Sequence, residues 1–234
     1  MPVNLAEALQ QVIPPVQEFK RRALTRPDGG SAMSPALVAL RDERVVAVVT
    51  APRMAAVLAA APTLAVGLAP QMLVLAAQVS LPERAATDQV PAQAPGEGIA
   101  YTTMTREREG AFAVQRYLVR DGQATFAGPV PGSPEDTSTL EALAGAMSHA
   151  PLDPTQVSRT GTGEVEQAGA ANAPRLPESE GRLVLDAGTV RSVRTRLDSA
   201  GGGTVLFVAA SPEHATALMA HGMDREALLG SRPS

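Results

Sequence analysis

Two long runs of apolar residues occur in the first third of the chain. Val45 to Thr50 contains four valines in six residues, and Gln71 to Ser80 contains Met-Leu-Val-Leu-Ala-Ala-Gln-Val. Continuous apolar runs of this kind are typical of strands that are buried on both faces. A shorter run, Leu37 to Leu40, is separated from Val45 by four charged residues. This pattern predicts a β-hairpin with a charged tip.

Segments on either side of these strands have apolar residues at helical spacing. The first apolar positions follow it until Pro14-Pro15, so the sequence predicts one helix before the prolines and a second after them. On the second helix, Lys20 and its two neighbouring arginines are expected to lie mostly on the solvent side. Alanine-rich Arg53 to Ala61 predicts another helix, and Pro62 to Pro70 predicts a turn or a short helix.

The stretch from Met54 to Val79 carries no charged residue. A membrane-spanning helix needs about 20 apolar residues, so length alone would allow one here. However, Pro62, Pro70 and two glutamines interrupt the stretch. These residues favour a buried helix, a turn and a buried strand instead.

From Ile99 onwards, the pattern of apolar and polar residues is typical of an antiparallel meander. Ile99 to Thr105, Ala111 to Val119 and Gln123 to Phe126 predict three strands, of which the last two are joined by an Asp121-Gly122 turn. The residues before Ile99, from Pro82 to Gly98, are expected to form a long loop.

Ser133, followed by a proline and two acidic residues, predicts the start of a further helix with the serine as N-cap. The element order over residues 1–150 is therefore helix, hairpin, helix, strand, meander, helix. This order resembles that of the small helix-flanked sheets of the roadblock and longin type. The resemblance covers element order alone, so it implies a fold and not a function.

The composition changes at Pro151. Residues 151–180 are rich in Thr, Gly, Ala, Pro and Glu, which predicts a linker or an extended arm. Arg182 to Asp186, Thr189 to Asp198 and Thr204 to Ala210 then predict a strand, a helix and a strand, and a last helix is expected from Ser211. This β-α-β-α order allows a parallel pair added to the first sheet or a separate lobe.

The predicted fold class is therefore α+β, with a mainly antiparallel sheet flanked by helices and a small C-terminal β-α-β-α unit. The predicted divisions are a sheet-and-helix domain at residues 1–150, a linker or arm at 151–180, and the C-terminal unit at 181–234.

Composition excludes several kinds of chemistry. The chain has no cysteine, which excludes disulfides, zinc–thiolate sites, iron–sulfur clusters and thiol nucleophiles. Its formal net charge is −4, which does not fit a basic nucleic-acid footprint. The first residues lack the basic and apolar regions of a signal peptide, so we expect a soluble protein in the cytoplasm with no membrane partner.

No pattern of catalytic or metal-binding residues is found. His149, His214 and His221 share no ligand spacing, since the last two lie about 10 Å apart along one predicted helix. The sequence has no G-x-S-x-G elbow for a serine nucleophile. The triple glycine from Gly201 follows a helix and opens a strand, which is the reverse of a phosphate-binding loop. We therefore predict no catalytic residue, no metal site and no cofactor.

Asp186 is the first residue of a candidate ligand site. It ends a predicted strand and precedes a helix, and ligands of open α/β sheets gather at the carboxyl ends of strands. Arg191 and Arg194 share one face of that helix, so the three residues together form the candidate site. The alternatives are that Asp186 caps the helix and that the arginines form a solvated helix face.

These observations favour a non-catalytic protein-interaction or assembly module that associates with itself or with another protein. The support is the absence of a catalytic constellation together with strands too apolar to be solvated. The first alternative is a structural component of a virion or other particle, in line with a bacterial or phage origin. The second is a small-ligand-binding protein or enzyme that uses Asp186 and its neighbouring loops.

Overall fold

The structure, a computed structural model, describes residues 5–25, 32–41, 44–83, 95–134, 136–151, 162–163 and 185–210. The helices among these residues are α1 (Leu5–Leu24), α2 (Met54–Leu68), α3 (Ser138–Met147) and α4 (Ala187–Ser199). The strands are β1 (Ala36–Arg41), β2 (Arg44–Thr50), β3 (Met72–Leu81), β4 (Gly96–Thr105), β5 (Gly110–Arg120), β6 (Gln123–Phe126), β7 (Val130–Gly132), β8 (Thr162–Gly163), β9 (Leu185–Asp186) and β10 (Thr204–Ala210).

Most of these strands form one strongly curled antiparallel sheet. Its order is β10-β2-β1-β3-β4-β5-β6, and β7 pairs with β5 on the same side as β6. The two short strands β8 and β9 pair with each other in a separate small sheet. The mixture of helices with an antiparallel sheet confirms the predicted α+β class.

Helices cover both faces of the main sheet. α1 packs on one face, which we call the α1 face, where Val38 and Leu40 of β1 are buried. α2, α3 and α4 pack on the other, the α2 face, where Leu37 and Ala39 are buried. Successive side chains of a strand point to opposite faces, so a strand covered on both sides needs apolar residues at every position. This explains the continuous apolar runs in the sequence.

The two prolines near the middle of α1 do not end it. The prediction of separate helices before and after Pro14 and Pro15 is wrong, because α1 continues through both. A proline inside a helix costs on the order of 3 kcal/mol, since it removes a backbone hydrogen bond and its ring crowds the preceding turn. Burial of apolar side chains on both sides of the prolines, among them Val12 and Val16, offsets this cost.

The charge-free stretch of the sequence forms α2 and most of β3. This confirms the predicted buried helix followed by a strand, although α2 continues through Pro62, where a turn or short helix was expected. Ala69, with a left-handed φ of 48°, ends the helix. None of the helices in the described residues combines the length and the apolar character that crossing a membrane requires.

The predicted meander of β4, β5 and β6 is confirmed, with positive φ at both Asp121 and Gly122 of the last turn. β4 begins at Gly96, inside the predicted loop. The predicted helix start at Ser133 is wrong, because α3 begins at Ser138. The residues just before Ser133 instead form β7 and extend the sheet at β5.

The described part of the C-terminal unit packs on the main sheet. β10 lies antiparallel beside β2, so this contact is not the parallel pair that the element order allowed. Val193 and Leu197 of α4 are buried in the core with α2. The predicted helix from Ser211 and most of the predicted arm at 151–180 lie outside the described residues, and the domain boundaries stay predictions.

Candidate functional site

The predicted ligand-binding residues lie at the start of α4 and just before it. Asp186 belongs to β9, where its backbone pairs with Thr162, and its side chain lies outside what the structure describes. Arg191 and Arg194 are exposed on α4. The structure therefore leaves the ligand site at these residues a prediction.

Of the three histidines, His149 is exposed just after α3, while His214 and His221 lie outside the described residues. Within the described part of the chain, no three His, Cys, Asp or Glu side chains lie close enough together to hold a metal ion.

Lys20 occupies an unexpected position, because it is fully buried, with an exposed fraction of 0 %. Its Nζ donates a hydrogen bond to Oε1 of Gln78 on β3 at 3.0 Å and lies 4.7 Å from the centre of the Tyr117 ring. The predicted solvent-side position of Lys20 is wrong. Lys20 follows the buried Val16 by four residues, and residues four apart lie one above the other on the same helix face.

One further side chain, that of Glu97, completes a polar network that we call the lysine cluster: Lys20, Gln78, Glu97 and Tyr117. Nε2 of Gln78 donates to Oε1 of Glu97 at 3.1 Å, and the Tyr117 hydroxyl donates to Oε2 of Glu97 at 2.8 Å. Oε1 of Gln78 also accepts a hydrogen bond from the backbone N–H of Met33 at 2.9 Å. Every buried side-chain nitrogen and oxygen of the described residues has a hydrogen-bond partner, so the cluster is internally satisfied.

The charges of the lysine cluster respond to burial. Burial lowers the pKa of Lys20 below its ordinary value of 10.5, and the negative charge of Glu97 opposes part of this change. Burial and the hydrogen bond to Glu97 raise the pKa of Tyr117. Tyr117 therefore stays protonated at neutral pH, and the buried ammonium of Lys20 is held by its neighbours. The arrangement fits a structural role, in which the cluster fixes α1 on the sheet.

A second polar side chain, Arg106, joins three segments of the α2 face. Its guanidinium donates to the carbonyl of Ala65 in α2, to that of Pro70 at 3.0 Å and to that of His149 after α3 at 3.0 Å. The carbonyls at the end of a helix have no partner within the helix, so Arg106 supplies partners at the ends of both helices. From the sequence, Arg106 is expected only to lie between the predicted strands Ile99 to Thr105 and Ala111 to Val119.

Three large apolar residues of the described chain are exposed, and all three lie on β5 or β7. Leu118 is 63 % exposed and Val119 is 42 % exposed on β5, and Val130 on β7 is 65 % exposed. Val114 pairs with Val130 across the ladder, and a Cβ at Gly98 would lie 3.2 Å from Val114 and 2.9 Å from Leu81. Val114, Val130 and Leu81 therefore lie close together near the middle of β5, whereas Leu118 lies nearer its end.

Alternation along β5 assigns its side chains to the two faces. Gly110 pairs with Met104, which is buried on the α2 face, so the even-numbered residues of β5 face the α2 side. The apolar side chains on that face form what we call the β5 strip: Phe112, Val114 and Leu118 of β5, with Val130 of β7. Val119 points to the opposite face.

Charged residues lie at both ends of the β5 strip. Arg116 and Arg120 lie on the strip's face of β5 and flank Leu118. At the other end, Leu140 of α3 lies 3.1 Å from where a Cβ of Gly110 would be. Both Glu141 and Arg120 are exposed.

The sequence contained partial signals for these features. The buried face of α1 could have been extended to Lys20 from its spacing with Val16. The alternation of Phe112, Val114 and Leu118 is also visible in the sequence, but whether a helix covers that face depends on where α2 and α3 pack. No family model, no curated protein and no solved structure matches this chain.

Proposed function

We propose that this chain is a non-catalytic protein-interaction module that self-associates through the β5 strip. The observation that carries the proposal is the exposure of Leu118 and Val130 on one face of neighbouring strands. Single apolar residues at a surface are ordinary. Here Val130 borders Val114, which like Phe112 is only half-buried, and Leu118 follows on the same face beyond Arg116.

The position of the strip supports this role. On the α2 face, helices cover β1 to β4 but leave the second half of β5 without a helix among the described residues. Apolar surface that the described part of the chain leaves uncovered can mark a place where another chain binds. The partner in this proposal is a second copy of the same chain, in the cytoplasm of a bacterium or in a phage-encoded setting.

Sedimentation velocity of the full chain, from low to high micromolar concentration, tests the proposal. We expect the wild-type protein to associate, and we expect Leu118→Asp and Val130→Asp each to produce monomers, because a carboxylate cannot be buried unpaired in an apolar contact. Val119→Asp is the matched control, since Val119 is exposed on the opposite face. Equal loss of association in all three variants, or a monomeric wild type, would contradict the proposal.

The two alternative functions predict other outcomes of the same experiment. An open-ended series of large assemblies would favour a structural component of a virion or other particle. A strict monomer would favour a small-ligand-binding protein or enzyme, and substitution of Asp186, Arg191 and Arg194 would then be the next step.

A further inference from the structure

We propose that the α1 face of the sheet is a binding site for an amphipathic helix of another protein, and that α1 occupies this site as a displaceable cover. The partner is a helix that presents apolar side chains at the spacing of Val12 and Val16, with a lysine four residues after the second, in the position of Lys20. This inference concerns the face of the sheet opposite the β5 strip and does not rest on the proposed self-association.

The first observation concerns the stability of α1 itself. Pro14 and Pro15 lie inside the helix, and each lacks a backbone N–H and crowds the preceding turn. α1 packs mainly on β3 and β6, so it depends on this contact with the sheet to remain helical. α2 also contains a proline, Pro62, but it is flanked by α3 and α4. Elements with few stabilising contacts open separately from the core, so we expect α1 to detach more easily than the central strands.

The second observation is that the polar half of the site is complete without α1. The backbone N–H of Met33 donates to Gln78, whose amide donates in turn to Glu97. The hydroxyl of Tyr117 also donates to Glu97. None of these three hydrogen bonds involves a residue of α1, whereas Nζ of Lys20 loses its bond to Gln78 when the helix leaves. Groups that are held in place before a ligand arrives bind it at little ordering cost, which is the behaviour of a receptor site.

The charge and the apolar surface of the site define the helix that fits it. Glu97 contributes a negative charge, and the centre of the Tyr117 ring lies 4.7 Å from Nζ of Lys20, so both groups favour an ammonium. Beneath α1, Val38 and Val74 are buried in one cluster with the apolar side chains of the helix. An acidic side chain at the lysine position would be buried beside Glu97 and would be strongly disfavoured.

A peptide of the α1 sequence, residues 5–25, tests whether the site accepts a helix from outside. The probe is a dye-labelled peptide with Pro14→Ala and Pro15→Ala, titrated with the full chain and followed by fluorescence anisotropy. We expect it to bind at least about a hundredfold more tightly than the peptide that retains both prolines, because it forms a helix without their cost. No binding of the proline-free peptide would overturn the inference. Equal affinity of the two peptides would overturn the role given to the prolines and make α1 of a second copy the occupant.

Changes at the lysine position locate the bound peptide. In the proline-free peptide, Lys20→Glu should weaken binding at least about a hundredfold, because a carboxylate would be buried next to Glu97. Lys20→Met should change the affinity by less than about fivefold, since the polar half of the site keeps its own hydrogen bonds.

The variant Glu97→Gln of the full chain supplies the matched control. Both peptides compete with the same α1, so this competition cancels in the ratio of their affinities. The preference for the lysine peptide over the methionine peptide should fall about threefold in Glu97→Gln, because only lysine carries a charge. Leu118→Asp, on the opposite face, should leave this preference unchanged. A preference that Glu97→Gln does not alter would place the peptide away from the lysine cluster and overturn the assignment.

Hydrogen exchange of the wild-type chain tests the displacement of α1 without any substitution in the protein. We expect the amides of α1 to exchange through a local opening that leaves β3 and β4 protected. Saturation with the proline-free peptide should remove the remaining protection of α1 and leave that of the two strands unchanged. Equal protection of α1 and the central strands would mean that α1 detaches only on global unfolding, and it would overturn the inference.

Discussion

Lys20 is the one lysine of the chain, and its ammonium lies inside the protein between α1 and the sheet. An isolated buried charge is costly, so such groups are normally paired or hydrogen-bonded. Gln78 accepts a hydrogen bond from the ammonium, and the Tyr117 ring lies beneath it. The negative charge of Glu97 also favours the charged form of Lys20. The three residues come from three different strands. A directional contact of this kind can fix the orientation of a helix where apolar packing alone would tolerate sliding.

Replacing Lys20 by methionine should change stability little at neutral pH. Methionine retains most of the buried volume, while Gln78 and Glu97 keep their other hydrogen bonds. We expect the free energy of unfolding to change by less than about 1 kcal/mol at pH 7. Urea denaturation of both proteins measures this difference, and a much larger loss would show that the ammonium itself holds α1 in place.

The difference in stability between the wild type and Lys20→Met should change with pH in a definite direction. The pKa of Lys20 is lowered in the folded protein, so the unfolded chain keeps this proton to higher pH. The stability of the wild type relative to Lys20→Met should therefore rise with pH between the lowered pKa and 10.5. Below the lowered pKa both states hold the proton, so the difference in stability should no longer change with pH. Comparing the two proteins cancels the titration of Tyr117, and the opposite trend would contradict the burial argument.

At the scale of elements, the pattern of apolar residues located most strands correctly. β1, β2 and β3 lie where their apolar runs predicted, because a strand that is buried on both faces needs apolar residues at consecutive positions. β6 and β10 also lie at their predicted positions. The pattern failed where packing overrides local preference, as at Pro14-Pro15 in α1 and Pro62 in α2. It also failed for β7, whose three residues pair with β5 although they include a proline and a glycine.

The join between α4 and β10 depends on a close approach at Gly203. A Cβ there would lie 2.8 Å from the carbonyl oxygen of Thr50 and 3.0 Å from the Leu197 side chain. Gly203→Ala should therefore lower the free energy of unfolding by about 1–3 kcal/mol, because the backbone of β2 must move. Thermal denaturation measures the loss. Gly128→Ala, with no atom within 4 Å of its new Cβ, is the control and should have almost no effect.

At the scale of the whole molecule, contacts between distant residues determine what the sequence could not predict. Lys20 and Gln78 are 58 residues apart, and Arg106 reaches acceptors 36 to 43 residues away. Sequence patterns report which residues are buried, but they do not report which segments meet. The α+β class could therefore be predicted, whereas the lysine cluster, the role of Arg106 and the uncovered β5 strip could not.

Limited proteolysis tests how the two predicted units hold together. We expect trypsin to cut first within residues 151–180, at Arg159 or Arg175, because that composition favours an extended chain. The hairpin arginines Arg108 and Arg120 should be cut later, since they lie in or next to tight turns of the sheet. After the first cut, β10 should keep the C-terminal fragment bound to β2.

Size-exclusion chromatography of the nicked protein, followed by mass spectrometry, gives the result. Co-elution of the two fragments is expected. Separate elution would mean that the C-terminal unit folds apart from the sheet, and resistance of the 151–180 segment would mean that this segment is held by other contacts.

The antiparallel pairing of β10 with β2 also matters while the protein is being synthesised. β2 leaves the ribosome about 150 residues before β10, and translation at 5–20 residues per second makes this interval roughly 8–30 s. During that time the outer edge of an almost entirely apolar strand has no partner, and such an edge readily pairs with other chains. The newly made chain is therefore most prone to aggregation, and most in need of chaperone protection, until β10 has emerged.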